Sequence, residues 1–274
     1  MTYQEFCSLM KFVSEDTENK IVRLYNENAD VGGGKITTQE IDKIAEYQNT
    51  DFVQIMGLNQ DIFEYFIKTY GHRLKNVEFF KNKAIKDLSM LGTLPNIEFI
   101  NFYHNQHITK LWDMSQNKNL MGIALYDFTR LNSLDGIQNA PNLKHLVFGD
   151  MVWSTSSLVD IEPIRNLGIE SFEFGGKKIE NYDISIYKTM PNLRHLEFGF
   201  KFHTMDENAQ ILAHNPQVSG ASLVPYHEWT CEGKKYIMIS GKGTPNMLDP
   251  KKDADKIKRY TEKFHKLIEK YKNS

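Results

Sequence analysis

Residues 74–128 read LKNVEFFKNKAIKDLSMLGTLPNIEFINFYHNQHITKLWDMSQNKNLMGIALYDF. This stretch contains three copies of the apolar pattern Leu-x-x-Leu-x-Leu, which begin 23 residues apart. The pattern recurs along the middle of the chain, with its first position at Leu74, Ile97, Leu120, Leu143, Ile169, Leu193 and Val218. By subtraction the spacings are 23, 23, 23, 26, 24 and 25 residues. A period in this range predicts a solenoid, in which each turn packs against the next. It therefore favours a binding surface over a buried catalytic pocket.

Each repeat begins with a segment of alternating apolar residues, which predicts a strand. An apolar series at helical or 3₁₀ spacing follows, and in the first repeat it consists of Ile85, Leu88, Leu91 and Leu94. Several repeats end in Pro-Asn, where proline stops the outer segment and asparagine turns the chain into the next strand. These pairs are Pro95-Asn96, Pro141-Asn142 and Pro191-Asn192. Because side chains alternate along a strand, inward residues should fill the core while the others face solvent on the concave side.

This arrangement resembles the leucine-rich repeat family, in particular the short repeats of roughly 22–24 residues found in internalins and phosphatase regulators. The family usually has an asparagine after the strand, and Asn82 and Asn105 hold that position here. In later repeats it is replaced by Phe128, Met151, Lys177 and Lys201. The resemblance covers roughly residues 52–223. It implies an α/β solenoid with parallel strands on the concave face, 3₁₀ or short helices on the convex face, and an interrupted asparagine ladder.

The N-terminal segment, residues 1–50, lacks the pattern and predicts a helical cap. Thr2-Tyr-Gln-Glu5 and Thr37-Thr-Gln-Glu40 both fit a capping box, whose hydroxyl and carboxylate bind free amides at a helix start. Between them, Gly32-Gly33-Gly34 predicts a break or flexible turn. We expect this cap to cover the open N-terminal end of the solenoid, because a terminal repeat cannot leave its apolar face in water.

The C-terminal segment, residues 225–274, predicts a second cap that follows the solenoid of residues 51–224. KKYIMIS, residues 234–240, has the pattern of a strand, and residues 251–274 have the apolar stripe of an amphipathic helix. All three parts are expected to form one continuous structural domain. The last helix carries nine Lys or Arg and four Asp or Glu, a local charge of 9 − 4 = +5. Its basic side predicts either a solvated surface or a helix that docks on an acidic partner or lipid headgroups.

Composition predicts a cytoplasmic protein. The chain has 274 residues, a formal net charge of −2 and only two cysteines, Cys7 and Cys231, which fits a reducing compartment. The first residues lack the basic and apolar regions of a secretion signal, and no stretch reaches the roughly 20 apolar residues of a membrane span. The charge gives no general bias toward nucleic acid.

Candidate catalytic and metal-binding motifs are weak. Ser240-Gly-Lys-Gly-Thr244 lacks the residue order of a phosphate-binding loop, so it predicts a turn after a strand. His104 and His107 are three residues apart but follow a strand, and a metal site needs further ligands. His227, Glu228 and Cys231 predict a surface loop, although an enzyme site at this cap junction stays open as an alternative. We therefore predict no enzyme, no catalytic or metal-binding residues and no cofactor.

The concave face gives the better-defined candidate site. Its seventh repeat positions are Phe80, Tyr103, Tyr126, Gly149, Gly175 and Gly199. The first three should form an aromatic ladder roughly 10 Å long, since parallel strands lie about 4.8 Å apart, and Phe99 should widen it. The glycines should leave a bare stripe, flanked by His145, Asp150, Glu173, His195 and Glu197. Two alternatives stay open: the rings simply cover one another, and the glycines only permit the strand-to-turn geometry.

The sequence therefore predicts a non-catalytic module that binds a protein or peptide on its concave face. Exposed aromatic residues dominate interface hot spots, and the acidic trough suits a basic and apolar segment but not phosphates. A bacterial immunity or regulatory protein with one cognate partner is the alternative. Two less favoured alternatives are an enzyme with a site near the C-terminal cap and a nucleic-acid role for the basic C-terminal helix.

Overall fold

The computed structural model describes residues 1–11, 21–26, 34–152 and 155–273. The chain divides into two compact units, which we call the first unit and the second unit. The first unit comprises Met1–Ile169 and Gly175–Tyr182, and the second comprises Glu170–Phe174 and Asp183–Ser274. Of the predicted glycine break, Gly32 and Gly33 lie outside the described residues.

Strands and short helices alternate along the described repeats. The segment expected to be a helical cap also contains a strand, Ile21–Leu24, which pairs in parallel with the strand Phe52–Met56. The strands are β1 Ile21–Leu24, β2 Phe52–Met56, β3 Asn76–Phe80, β4 Phe99–Asn105, β5 Gly122–Phe128, β6 His145–Gly149, β7 Ser157–Leu158, β8 Ser171–Gly175, β9 Lys178–Ile179, β10 His195–Phe198, β11 Tyr226–Cys231 and β12 Lys234–Ile239. The α-helices are α1 Tyr3–Met10, α2 Thr38–Asp42, α3 Gln60–Tyr70, α4 Met205–His214 and α5 Ala254–Lys272. The 3₁₀ turns are Lys43–Glu46, Gly71–Arg73, Ser89–Thr93, Ile137–Asn139, Glu162–Ile164 and Ile184–Thr189.

In the first unit, β1 to β6 pair in parallel in chain order. Equivalent repeat positions lie side by side: Val77 pairs with Ile100, Ile100 with Ile123, and Ile123 with Leu146. In the second unit β8 and β10 also pair in parallel. This register confirms the predicted fold, an α/β leucine-rich repeat solenoid, because only a repeat with one strand per turn places these positions together.

The inward side chains of the strands form the core of the first unit. Val77, Ile100, Ile123 and Leu146 are each 0% exposed. In the next inward row, the rings of Phe79 and Phe102 stack with centroids 4.4 Å apart. Each buried side chain of this size contributes about 1.5–3 kcal/mol. The 3₁₀ turn Ser89–Thr93 contributes a buried residue, Leu91, so the core is closed by residues that follow each strand.

A short asparagine ladder joins consecutive turns of the first unit. The Asn82 side chain accepts a hydrogen bond from the Leu58 amide (2.8 Å) and donates to the Ile55 carbonyl (2.8 Å). Asn105 donates to the Asn82 carbonyl at 2.8 Å, and its Oδ1 accepts from two backbone amides in its own turn. In the next repeat Phe128 stands at the position of Asn82 and Asn105. It is 2% exposed and packs edge-on against Phe102, so a hydrophobic contact replaces the hydrogen bonds of the asparagine side chain.

Asparagines at the ends of the repeats form a second set of links. Asn96, Asn119 and Asn142 each donate from Nδ2 to a carbonyl 24 residues earlier, at 2.8, 3.1 and 2.7 Å. Two of the predicted turn residues, Asn96 and Asn142, therefore also tie their turns to the preceding ones, and Asn119 does the same. These links are exposed, in contrast to the buried ladder of Asn82 and Asn105.

Both predicted capping boxes are present, at Thr2 with Glu5 and at Thr37 with Glu40. However, the first helix does not lie over the N-terminal end of the sheet as we expected. Instead α1 packs on the face of the sheet that points away from the core, which we call the concave face. The physical reason is Phe6, a large apolar side chain that is buried against Phe99 of that face.

The second unit contains both predicted elements of the C-terminal cap. The strand is β12, which forms an antiparallel hairpin with β11. Glu232 and Gly233 turn this hairpin at φ values of 49° and 75°, the backbone conformation that two-residue hairpins favour. The helix begins at Ala254, three residues later than predicted, because the Asp249 carboxylate accepts from the amides of Lys251 and Lys252 and holds them in a turn. Phe264 of α5 is buried in a cluster with residues of α4 and β12.

Replacing Asn105 with alanine tests the buried ladder. Asn105→Ala removes the partner of the His107 and Ile108 amides, and each buried group left unpaired costs about 1–3 kcal/mol. We expect the free energy of unfolding, measured by urea denaturation, to fall by about 3 kcal/mol. The control is Asn119→Ala, which removes one exposed hydrogen bond and should cost about 1 kcal/mol or less. Equal losses in the two variants would contradict the structural role of the ladder.

Candidate partner-binding surface

An aromatic row of Phe80, Tyr103 and Tyr126 lies across three adjacent strands of the concave face. Phe80 pairs with Tyr103 in the register of β3 and β4, and Tyr103 pairs with Tyr126 in that of β4 and β5. The rings of Phe80 and Tyr103 stack, with centroids 4.9 Å apart and planes 13° apart. All three side chains are half-buried. The register therefore places the three residues of the row side by side, while its role in binding remains a prediction.

The residue after each ring adopts a left-handed backbone conformation. The φ angles are 53° at Lys81, 63° at His104 and 54° at Asp127. Each non-glycine residue in this region costs about 1–2 kcal/mol. The same turn therefore recurs in three repeats despite its cost. At Asp127 the carboxylate accepts from the amides of Met151 and Val152, both at 3.2 Å.

Helix α1 covers part of the concave face, which corrects our expectation for Phe99. Phe99 is 0% exposed and packs edge-on against Phe6, with ring centroids 5.6 Å apart. Ala124 and Val147 complete the same buried cluster. Phe99 therefore does not widen the aromatic surface, because the Phe6 ring excludes solvent from it.

His145, another predicted site residue, is also buried. It is 0% exposed, its ring stacks on Phe6 at 5.0 Å, and its Nε2 lies 3.2 Å from the Met1 carbonyl oxygen. Gly122 provides the space for this packing, because a Cβ there would lie 2.7 Å from Cδ2 of Phe6. The small residues Gly122 and Ala124 interrupt the large side chains of this face. In the sequence, these two small residues are the one signal that another segment of the chain covers the concave face.

Two cavities of the first unit adjoin α1. The larger one, about 770 Å³, lies beside the start of the helix and includes Met1, Glu5, Leu9, Phe52 and Met121 in its lining. The smaller one, about 380 Å³, lies at the aromatic row. Its lining consists of Met10, Glu78, Phe80, Lys81, Asn101, Tyr103, Tyr126, Met151 and Val152. Met151 and Val152 are 66% and 62% exposed, so this cavity is bordered by exposed apolar side chains.

The predicted glycine stripe has a structural cause at one of its three positions. A Cβ at Gly149 would lie 2.6 Å from backbone atoms of Gly175, so only glycine fits there. At Gly199, in contrast, no atom lies within 4 Å of an added Cβ. Asp150 also has a structural role, because its carboxylate accepts from the amides of Thr155 and Ser156, both at 2.8 Å. Its predicted part in partner binding remains untested.

In the second unit, the predicted acidic residues are neighbours. Glu173 and Glu197 pair directly in the register of β8 and β10. Burial, and then the neighbouring Glu197 carboxylate, raise the pKa of Glu173 above its ordinary value. Burial also raises the pKa of Glu197, although its Oε2 accepts a hydrogen bond from the Ala221 amide at 2.6 Å. His195 lies 3.1 Å from the Ser219 hydroxyl, and burial lowers its pKa.

The weak catalytic candidates are explained by local structure. His227, Glu228 and Cys231 lie on strand β11 and not in the predicted surface loop, because β11 pairs with β12 in a hairpin. In the loop Ser240–Thr244, the Ser240 hydroxyl donates to the Val224 carbonyl. The loop encloses the Lys201 ammonium, which donates to the Ile239 carbonyl (2.6 Å) and the Thr244 hydroxyl (2.6 Å). A loop that accepts hydrogen bonds from a cation does not have the amide-donor geometry of a phosphate site. Among the described residues, no group of three His, Cys, Asp or Glu could hold a metal ion.

The register, the asparagine ladder and the buried repeat positions define this chain as having the leucine-rich repeat fold. A solved structure of an internalin (inlF) from Listeria monocytogenes str. 4b F2365 has a similar fold, with a TM-score of 0.52 and 14% sequence identity. The match covers 78% of this chain and 59% of the internalin chain. No protein-family model and no curated protein matches the sequence. In the described part of the chain, no helix combines the length and apolar character needed to cross a membrane.

Truncating Phe6 tests whether its ring holds α1 on the concave face. Phe6→Ala should undock the helix, since deleting a fully buried phenylalanine ring costs about 3–5 kcal/mol. We expect faster hydrogen exchange at the amides of α1, with unchanged protection in β3 to β5. Gln4→Ala changes an exposed residue of the same helix and should leave exchange as in the wild type. Protection of α1 that survives the loss of the ring would rule out this role for Phe6.

The paired carboxylates of the second unit make stability depend on pH. Because the pKa of Glu173 is raised in the folded state, that state binds its proton more tightly than the unfolded chain. The stabilisation is therefore greatest at low pH and is lost as the pH rises above 4.5, the ordinary pKa of a glutamate side chain, and through the raised pKa of the folded state. Glu173→Gln should unfold at a higher temperature than the wild type at pH 7 and show a shallower decline with pH. Glu180→Gln, at an exposed salt bridge, is the control and should leave the slope unchanged.

Proposed function

We propose that this chain is a non-catalytic module that binds a protein or peptide partner through the part of the concave face that α1 leaves open. The observation that carries the proposal is the aromatic row of Phe80, Tyr103 and Tyr126, adjacent in register and half-buried. Aromatic side chains present large, rigid contact areas and are enriched among the residues that dominate binding energy. Because the row stands on paired strands, little ordering is needed when a partner binds.

Two further features support a protein partner. Met151 and Val152, both largely exposed, border the cavity at the aromatic row, and exposed apolar groups of this kind lose water favourably when covered by a partner. Glu78 of the first unit and Glu173 and Glu197 of the second put carboxylates on the strands. Carboxylates repel phosphates, so the proposal excludes nucleic acid as the ligand of these surfaces. The proposed module needs no cofactor, and it would act in the cytoplasm.

Replacing two tyrosines tests this proposal. Tyr103→Ala combined with Tyr126→Ala should weaken partner binding by about 2 kcal/mol or more, roughly thirtyfold, because hot-spot rings contribute at least that much. The full chain serves as bait in affinity capture from its source organism, and mass spectrometry identifies the bound proteins. Binding of each purified partner is then measured by titration calorimetry, with thermal unfolding as the check on folding.

The matched control is Tyr236→Ala, which breaks a different aromatic pair, with Trp229, in the second unit. Loss of binding in the double variant, together with normal binding in this control, supports the proposed surface. Unchanged binding in the double variant would remove the aromatic row from the proposal. A single partner bound tightly would favour a regulatory protein with one cognate target, and several weaker partners would favour a general scaffold.

A further inference from the structure

The smaller cavity of the first unit has a polar floor beneath its aromatic wall. Gln54, Glu78 and Asn101 lie side by side on β2, β3 and β4, in the row next to the aromatic one. Glu78 is 9% exposed and Asn101 is 5% exposed, so both are more than nine-tenths buried. Glu78 and Asn101 both contribute to the lining of the cavity. Polar side chains this deeply buried usually have hydrogen-bond partners.

Two residues of the floor, Glu78 and Asn101, carry hydrogen-bond acceptors that are not fully used. Oδ1 of Asn101 is buried and accepts no hydrogen bond from any described residue. Oε2 of Glu78 accepts one, from Nε2 of Gln54 at 3.0 Å. A carboxylate has about four acceptor sites, so Glu78 can take more donors. Burial raises the pKa of Glu78, which means that its ionised form is undercompensated where it lies. Acceptor sites of Glu78 and Asn101 are therefore left for further hydrogen-bond donors.

The wall of the cavity supplies faces that attract cations. Phe80 and Tyr103 stack at one side, and Tyr126 and Met10 lie at the other lining positions. The ammonium of Lys81 already lies 5.2 Å from the centre of the Phe80 ring. Cations over aromatic faces gain about 0.5–2 kcal/mol, depending on how far they are desolvated. The rings and the acceptor floor therefore favour the same kind of guest, an elongated side chain with a cationic, donor-rich end.

We propose that this cavity binds the side chain of an arginine, presented by a protein or peptide partner, with its guanidinium on Glu78 and Asn101 and its methylene stem against the aromatic side chains of the wall. The inference rests on the proposed function in that the arginine belongs to a partner of the concave face. A guanidinium carries five donors in a planar fork, so it can serve a carboxylate and an amide oxygen together. The cavity of about 380 Å³ is large enough for such a side chain.

Two cations of the chain lie near enough to affect this site. Lys81 lies at its lining, and the charge of Arg23 lowers the pKa of Glu78, an effect smaller than that of burial. Lys81 therefore opposes an incoming cation. Replacing Lys81 with an uncharged side chain of similar length should strengthen binding. This increase in affinity is expected for a cationic ligand and not for a ligand held only by hydrophobic contacts.

Short peptides test the pocket without a natural partner. The probes are Ac-Gly-Arg-Gly-NH₂ and its citrulline analogue, which has nearly the same shape but no charge. Each is titrated into the full chain labelled with ¹³C at its methionine methyl groups, so that Met10 and Met151 report from the lining. We expect saturable shifts of both methyl signals with the arginine peptide and about tenfold weaker binding of the citrulline peptide, since hydrogen bonds to charged groups are the stronger ones.

Three variants complete the experiment. Glu78→Gln should bind the arginine peptide about tenfold more weakly, and Lys81→Gln should bind it more tightly. Glu173→Gln is the matched control, because it also removes a partly buried carboxylate from a strand, and it should bind as the wild type does. Equal affinity for the two peptides would overturn the proposal, as would unchanged arginine binding in Glu78→Gln. If Glu78→Gln fails to fold, the comparison of the two peptides on the wild type still decides.

Failure of the arginine site and failure of the proposed function give different results. The peptide titration needs no partner, whereas the proposed function is judged by the dependence of partner binding on Tyr103 and Tyr126. If the double tyrosine variant loses partner binding but the arginine and citrulline peptides bind with equal affinity, the concave face binds by apolar contact. The arginine site is then excluded. If the arginine peptide binds but partner binding does not need the tyrosines, the pocket stands and the proposed function fails.

Discussion

The stacking of equivalent inward side chains in register is the constraint on which the other features depend. Val77, Ile100, Ile123 and Leu146 pair in register, and each lies 23 residues after the one before it. The next repeat is longer, 26 residues from Leu143 to Ile169, and its outer segment contains the short strand β7. The extra residues of this repeat thus follow the strand β6. The same register puts the aromatic row and the polar floor on neighbouring lines of the opposite face.

The sequence predicted the core and the alternation of faces, because both follow from a short pattern that repeats. It also predicted the row of Phe80, Tyr103 and Tyr126, since the same count applies to every position of a repeat. It did not predict what covers Phe99 and His145. The alternation of side chains along a strand shows which way each one points, but it does not show whether a distant segment packs on it. Phe6 packs on Phe99 although it lies 99 − 6 = 93 residues earlier in the chain.

Several residues that had the chemistry of a site are engaged in holding the fold. The Asp150 carboxylate binds amides of its own loop, and the Lys201 ammonium binds carbonyls in the loop that contains Ser240 and Thr244. Lys201 stands where the repeat would have an asparagine, and it performs the same task of satisfying backbone groups. Residue type alone could not reveal this, because a carboxylate or ammonium serves backbone and ligand equally well. Glu78 and Asn101 differ because their acceptors are deeply buried and incompletely used.

Helix α1 and the arginine pocket share a boundary, which couples them. Met10, at the end of α1, lines the pocket, and its sulfur lies 3.5 Å from the Tyr126 hydroxyl. A ligand that contacts Met10 binds the docked helix better than the undocked one, so it shifts the helix toward docking. By reciprocity, docking of the helix strengthens such a ligand by the same factor by which the ligand favours docking. The helix that removes Phe99 and His145 from the surface is therefore also a wall of the surface that remains.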